Sequence, residues 1–244
     1  MRPPLRGPIT GVVGQFLLLA ALAVTVGLGA WGWAVGAGYA LTTGVLLARG
    51  LHRVGSESLG PADRVTLLRT VLVGGVAALV ADSLTGAPAV AVVVALSAVA
   101  LVLDAVDGWV ARRTDTSSAL GARFDMEVDA FLILVLSVFV AGTFGAWVLV
   151  IGLARYAFVT AGWLLPWLRG SLPPRYWRKV VAATQGIVLT VVAAGVVPRA
   201  LAVSALVVAL ALLVESFGRD VWWLWQHRAG VDRADQIVGE SVAH

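Results

Sequence analysis

The sequence predicts an all-α integral membrane protein: two leading transmembrane helices, then a six-helix bundle. Three observations predict it. First, hydrophobic residues make up 59% of the 244-residue chain and charged residues only 13%. A soluble domain of this length has no use for so much apolar sequence, because a core grows only with its volume. Second, apolar runs recur at about the 20-residue length a bilayer needs. Third, the cations are sided. With alternate loops taken together, sixteen of the eighteen Lys and Arg residues fall on one side; the other side has Arg199, and Arg155 lies within a span. This asymmetry puts both termini in the cytoplasm.

These bounds leave no room for a sizeable soluble domain. Cysteine is absent, which removes disulfide and thiol chemistry. The net charge of +4 reads as cytoplasmic loops and contact with anionic lipid, not as nucleic-acid binding.

Eight spans follow in order. The first, 10–29, begins like a signal peptide, but its apolar run is too long and the next hydrophobic segment follows almost at once, so it is a retained helix. The second, 31–48, is like the first rich in Gly and Ala and free of charge. A polar linker, 48–64, then marks the one clear boundary. The third span is 64–82. The fourth, 87–108, ends in Asp104 and Asp107. The fifth, 120–142, opens with Asp125 and Asp129. The sixth, 145–167, carries Arg155. The seventh, 178–197, opens with Arg178 and Lys179, and the eighth, 199–218, holds Glu215 and Arg219, spaced to pair with each other. The tryptophans near the cytoplasmic side form an aromatic belt, and the polar tail after Trp225 is expected to be poorly ordered. The domain division is 1–49 leader, 50–63 linker, 64–227 membrane body and 228–244 tail.

The chemistry concentrates in 103–131, which holds six of the fourteen carboxylates. Asp104 and Asp107 are three apart and share a helix face; Asp125 and Asp129 are four apart and share another. The intervening residues reverse the chain, so two antiparallel helices aim four carboxylates at one volume. Such charges in low dielectric repel and call for cations. Hard oxygen donors suit Mg²⁺, Mn²⁺ or Ca²⁺, and a metal of that kind suits a phosphate substrate. Gly108, Ala111 and Gly121 let a ligand approach the backbone, Arg112 suits a diphosphate, and Ser117 and Ser118 add hydrogen-bond donors. Asp115 falls in the turn, and Glu127 lies off the shared face of Asp125 and Asp129.

Asp104, Asp107, Gly108, Ala111, Arg112, Gly121, Asp125 and Asp129 reproduce, with every gap correct, the pattern D-x2-D-G-x2-A-R-x8-G-x3-D-x3-D. The segment therefore resembles the signature of the CDP-alcohol phosphotransferases, and "ADRVTLLRT" (62–70) is similar to the start of that family's first core helix, with Asp63 where an Asn is usual. The resemblance implies transfer of a substituted phosphate group, often phosphatidyl from CDP-diacylglycerol, to an alcohol acceptor, with release of CMP. It implies that Asp104, Asp107 and Asp125 ligate Mg²⁺ or Mn²⁺, and that Asp129 completes the site and acts as general base. Asp107, Gly108, Ala111, Arg112, Ser118 and Gly121 would then form the nucleotide site, at the cytoplasmic face of a homodimer. Arg155, Arg178 and Lys179 resemble the cations that bind phosphorylated acceptors. Many such members carry a cation after the fourth Asp; this chain has Ala130, so an acceptor without phosphate stays open. Two rivals remain: a transporter with a carboxylate cation path, and a catalytically degenerate member. The cluster's place at one interface and the absence of an inverted repeat count against the first; the intact signature counts against the second.

Overall fold

The computed structural model describes residues 6–54, 61–114, 119–170, 172 and 176–242. Among them are eight α-helices and no strands: α1 Arg6–Val26, α2 Ala30–Val54, α3 Pro61–Ser83, α4 Val90–Thr114, α5 Ala119–Phe144, α6 Leu149–Leu164, α7 Tyr176–Ala193 and α8 Arg199–Val242. Six of these are long and apolar enough to cross a bilayer. The chain is a multi-pass membrane protein. α4 supplies a shorter apolar stretch, Val90–Val106. α7 carries Arg178, Lys179 and Gln185 within its 18 residues and does not meet the same measure.

The helices fall where the apolar runs place them, with three shifts. α4 continues to Thr114, six residues past its expected end and into the segment expected to reverse the chain. α2 continues to Val54 because Leu47 and Leu51 extend its buried face. It thereby takes in the first part of the expected linker. α8 runs past Trp225 to Val242, so the polar tail is helical and not irregular.

α3 is the axis of the bundle, and it packs against α1, α2, α4 and α5. Its Val73 and Val76 are sealed in a core shared with Leu132 and Leu136 of α5, Leu189 of α7 and Leu206 of α8. The leading helices seat on it through Gly74. A Cβ there would come within 2.4 Å of Gln15 Oε1 and 2.6 Å of Tyr39 Cδ1, so only a glycine lets α1 and α2 come this close. Two polar and aromatic contacts complete the seat. The Gly29 N–H, just ahead of α2, donates to Asp82 Oδ1 of α3 at 3.1 Å, which sets a carboxylate at the positive end of α2. The Tyr39 ring stacks on Phe131 of α5, with centroids 4.9 Å apart.

The other half closes by similar means. Gly145, at φ +100°, makes the turn from α5 into the 3₁₀ turn Ala146–Val148 ahead of α6. That φ strains any residue with a Cβ. Gln185 of α7 donates to the Ala209 carbonyl of α8 at 2.8 Å, a polar tie between two spans.

Candidate active site

The site forms where the start of α3, the end of the apolar part of α4 and the start of α5 meet at one end of the bundle. Asp104 comes from α4. Asp125 and Asp129 come from α5, one turn apart on one face. Each of the three offers an oxygen, and these oxygens all lie within 4.8 Å of one another. Of the four aspartates expected at one volume, Asp104, Asp125 and Asp129 form one acidic cluster.

At its centre is a residue the sequence reading missed. Arg69 of α3 is buried, 1% exposed. Its Nη1 donates to Asp104 Oδ1 at 2.5 Å. Its Nη2 pairs with Asp125 Oδ1 and, at 3.0 Å, with Asp129 Oδ1. The same nitrogen reaches the Asp125 carbonyl at 3.2 Å. The sidedness of cations counts Arg69 with the loops, but it lies inside the candidate span Val65–Ser83. A charge within a span is functional by default, and that rule singles out Arg69 as well as Arg155.

The electrostatics follow from the count. Among the described residues three carboxylates converge on one guanidinium, so acids outnumber cations in these contacts. The guanidinium is sealed, whereas each carboxylate is about a third exposed. The cluster thus presents an acidic face to the outside. Its all-oxygen donors and surplus charge fit a hard divalent cation. That is the ion class the spacing predicts.

Asp107, Gly108, Ala111 and Arg112 lie on the helical end of α4 by backbone, but their side chains fall outside the described residues. Ser117 and Ser118 lie outside them altogether. Gly121 is half-buried in the first turn of α5.

The three cations expected for the acceptor separate. Arg155 Nη2 pairs with Glu127 Oε1, so the lone cation of the sixth span and the odd carboxylate of the segment are each other's partner. Arg178 Nε pairs with Asp220 Oδ2 of α8 at 3.0 Å. Lys179 is exposed and within electrostatic reach of Asp125. Glu215 and Arg219 pair as their spacing predicts. Trp177 does more than anchor: its Nε1 donates to Glu215 Oε2 at 2.9 Å.

A protein-family model described as CDP-alcohol phosphatidyltransferase matches residues 59–215. The match takes in α3 to α7, the start of α8 and all four signature aspartates, and it leaves α1 and α2 outside. Comparison with curated proteins and with solved structures gave no match.

Proposed function

The chain belongs to the CDP-alcohol phosphatidyltransferase family, and on that premise we propose that it transfers a phosphatidyl group from a CDP-linked donor, such as CDP-diacylglycerol, to the hydroxyl of a small alcohol. The observation that carries this reading is the meeting of Asp104, Asp125 and Asp129 on one guanidinium, with acidic charge left over. Transfer of a phosphate-containing group from a CDP-alcohol is the family's chemistry; the donor, the acceptor and the metal are the proposal.

Asp104, Asp107 and Asp125 would hold Mg²⁺ or Mn²⁺, which when bound neutralises the diphosphate and the departing CMP. The protein's own groups divide the rest of the work. Asp129 accepts the proton of the acceptor hydroxyl. The acceptor oxygen forms its bond to the phosphorus of the phosphatidyl group, and the bond from that phosphorus to the CMP oxygen breaks. Gly108, Ala111 and Gly121 keep the nucleotide close to the backbone, and Arg112 and Ser118 serve the diphosphate. Lys179, exposed at the start of α7, would be a cation for an acceptor that carries phosphate. The arginine asymmetry supports a cytoplasmic site. A chain without cysteine lets single introduced cysteines report sidedness by labelling.

The test is CMP release from CDP-diacylglycerol by the purified protein, across a panel of alcohols, with Mg²⁺, Mn²⁺ or EDTA. Release that needs both a divalent ion and an alcohol is expected, with the lipid product identified by mass. Turnover in EDTA, or turnover unchanged in Asp125→Asn, would remove the reading.

A further inference from the structure

Arg69 differs from the other paired cations of the described residues in two ways. Arg155, Arg178 and Arg219 each meet one acidic side chain and keep about a third or more of their own side chain exposed. Arg69 meets three and is sealed. Its fork engages Oδ1 of Asp104, Asp125 and Asp129, so it touches every member of the acidic cluster at once. A guanidinium is rigid and planar and does not give up its proton. In the apolar interior of a membrane bundle it is tolerated only with such partners.

We propose that Arg69 is a positioning residue that serves as the fixed internal cation of the site. It holds the three carboxylates in one arrangement, and it weakens their grip on a divalent ion so that the ion exchanges. The first half follows from the contacts. Asp104 and the α5 pair stand on different helices, and the bonds from Arg69 on a third helix tie the two together. The second half follows from charge. A fixed positive charge within bonding distance of Asp104, Asp125 and Asp129 repels any further cation drawn to those groups. The three clustered carboxylates with no internal cation would hold a divalent ion tightly whether or not substrate were present. With Arg69 behind them, the phosphate oxygens of the substrate are needed to complete a strong site. The inference rests on the divalent reading of the acidic cluster. It adds a residue to that reading and sets the sign of its effect.

The experiment uses the full chain in lipid nanodiscs and compares wild type, Arg69→Lys and Arg69→Gln. Two quantities are read without turnover: the unfolding midpoint in EDTA, and Mn²⁺ affinity from the electron-paramagnetic-resonance signal of free Mn²⁺. Arg69→Gln is expected to unfold at lower temperature in EDTA yet to bind Mn²⁺ tighter, by roughly tenfold or more. Arg69→Lys keeps the charge and loses the fork, so its midpoint falls while its Mn²⁺ affinity stays near wild type. A purely structural role would weaken Mn²⁺ binding along with stability. The double variant Arg69→Gln with Asp104→Asn restores the charge balance and is expected to recover part of the midpoint. It also serves if Arg69→Gln does not fold. An unchanged midpoint in EDTA, or weaker Mn²⁺ binding by Arg69→Gln, would overturn the proposal. No Mn²⁺ binding by wild type would overturn the divalent reading and the affinity half with it; the EDTA midpoints would still decide the positioning half.

Discussion

Two charged clusters are built on neighbouring helices, and they are constructed in opposite ways. Where α3, α4 and α5 meet, the cation is sealed and the acids are open, three carboxylates to one guanidinium. Between α7 and α8 the acid is sealed and the cation is open. Asp220 is 9% exposed by side chain and Arg178 is 30%, and next to them Glu215 pairs with Arg219. There the described charges pair one acid to one cation. A balanced cluster has satisfied itself and ties helices together. One in which acids outnumber cations among the described contacts and face outward is suited to receiving a cationic ligand. Counting charges on both sides of a contact thus separates a structural ion pair from a ligand site more sharply than counting acids alone.

This contrast can be broken or sharpened by substitution. The largest effect belongs to the open acids. Asp129→Asn should lower CMP release by about 10²–10⁴-fold, the usual worth of a general base, while Mn²⁺ binding persists; a variant within tenfold of wild type would take the base role from Asp129. Next comes the sealed cation. Arg69→Leu strands three carboxylates and should cost about 3–5 kcal/mol, read from denaturant unfolding in EDTA. A smaller loss is expected in the matched cluster. Arg178→Gln leaves Asp220 buried without its cation, at about 1–3 kcal/mol, and Mn²⁺ affinity should not move. A shift in that affinity would join the two clusters and undo the comparison. The least effect is expected from Arg219→Gln, because Arg219 is itself exposed: about 0.3–0.5 kcal/mol, and none on turnover with an uncharged acceptor.

Much of this architecture was legible in the chain. Length and hydropathy place all eight helices, and the spacing of Asp104, Asp125 and Asp129 places them on faces that do meet. What escaped was pairing between distant segments. Arg69 reads as a loop cation because it stands near the polar start of its helix, and only the packing of α4 and α5 around it shows what it does. Arg155 and Glu127 each stand out in the sequence, but they are 28 residues apart, and no local rule joins them. The extension of α2 to Val54 came from Leu51, a buried residue beyond the charge-free run. The helical tail went the other way: its polarity argues for irregular chain, and only the length of α8 shows otherwise.

The seat at Gly74 has a consequence for how the molecule is made. Arg69 leaves the ribosome before any of its partners, with Asp104 following 35 residues later and the Asp125 carbonyl 56 residues later. At about 5–20 residues per second, the guanidinium waits roughly 2–7 s for its first carboxylate. Through that interval α3 is a span with a stranded charge, a costly thing to leave against lipid. α1 and α2 are already finished, and the notch at Gly74 fits them. The leading helices, which the family match does not include, pack on α3 at Gly74 and are made before α4 and α5.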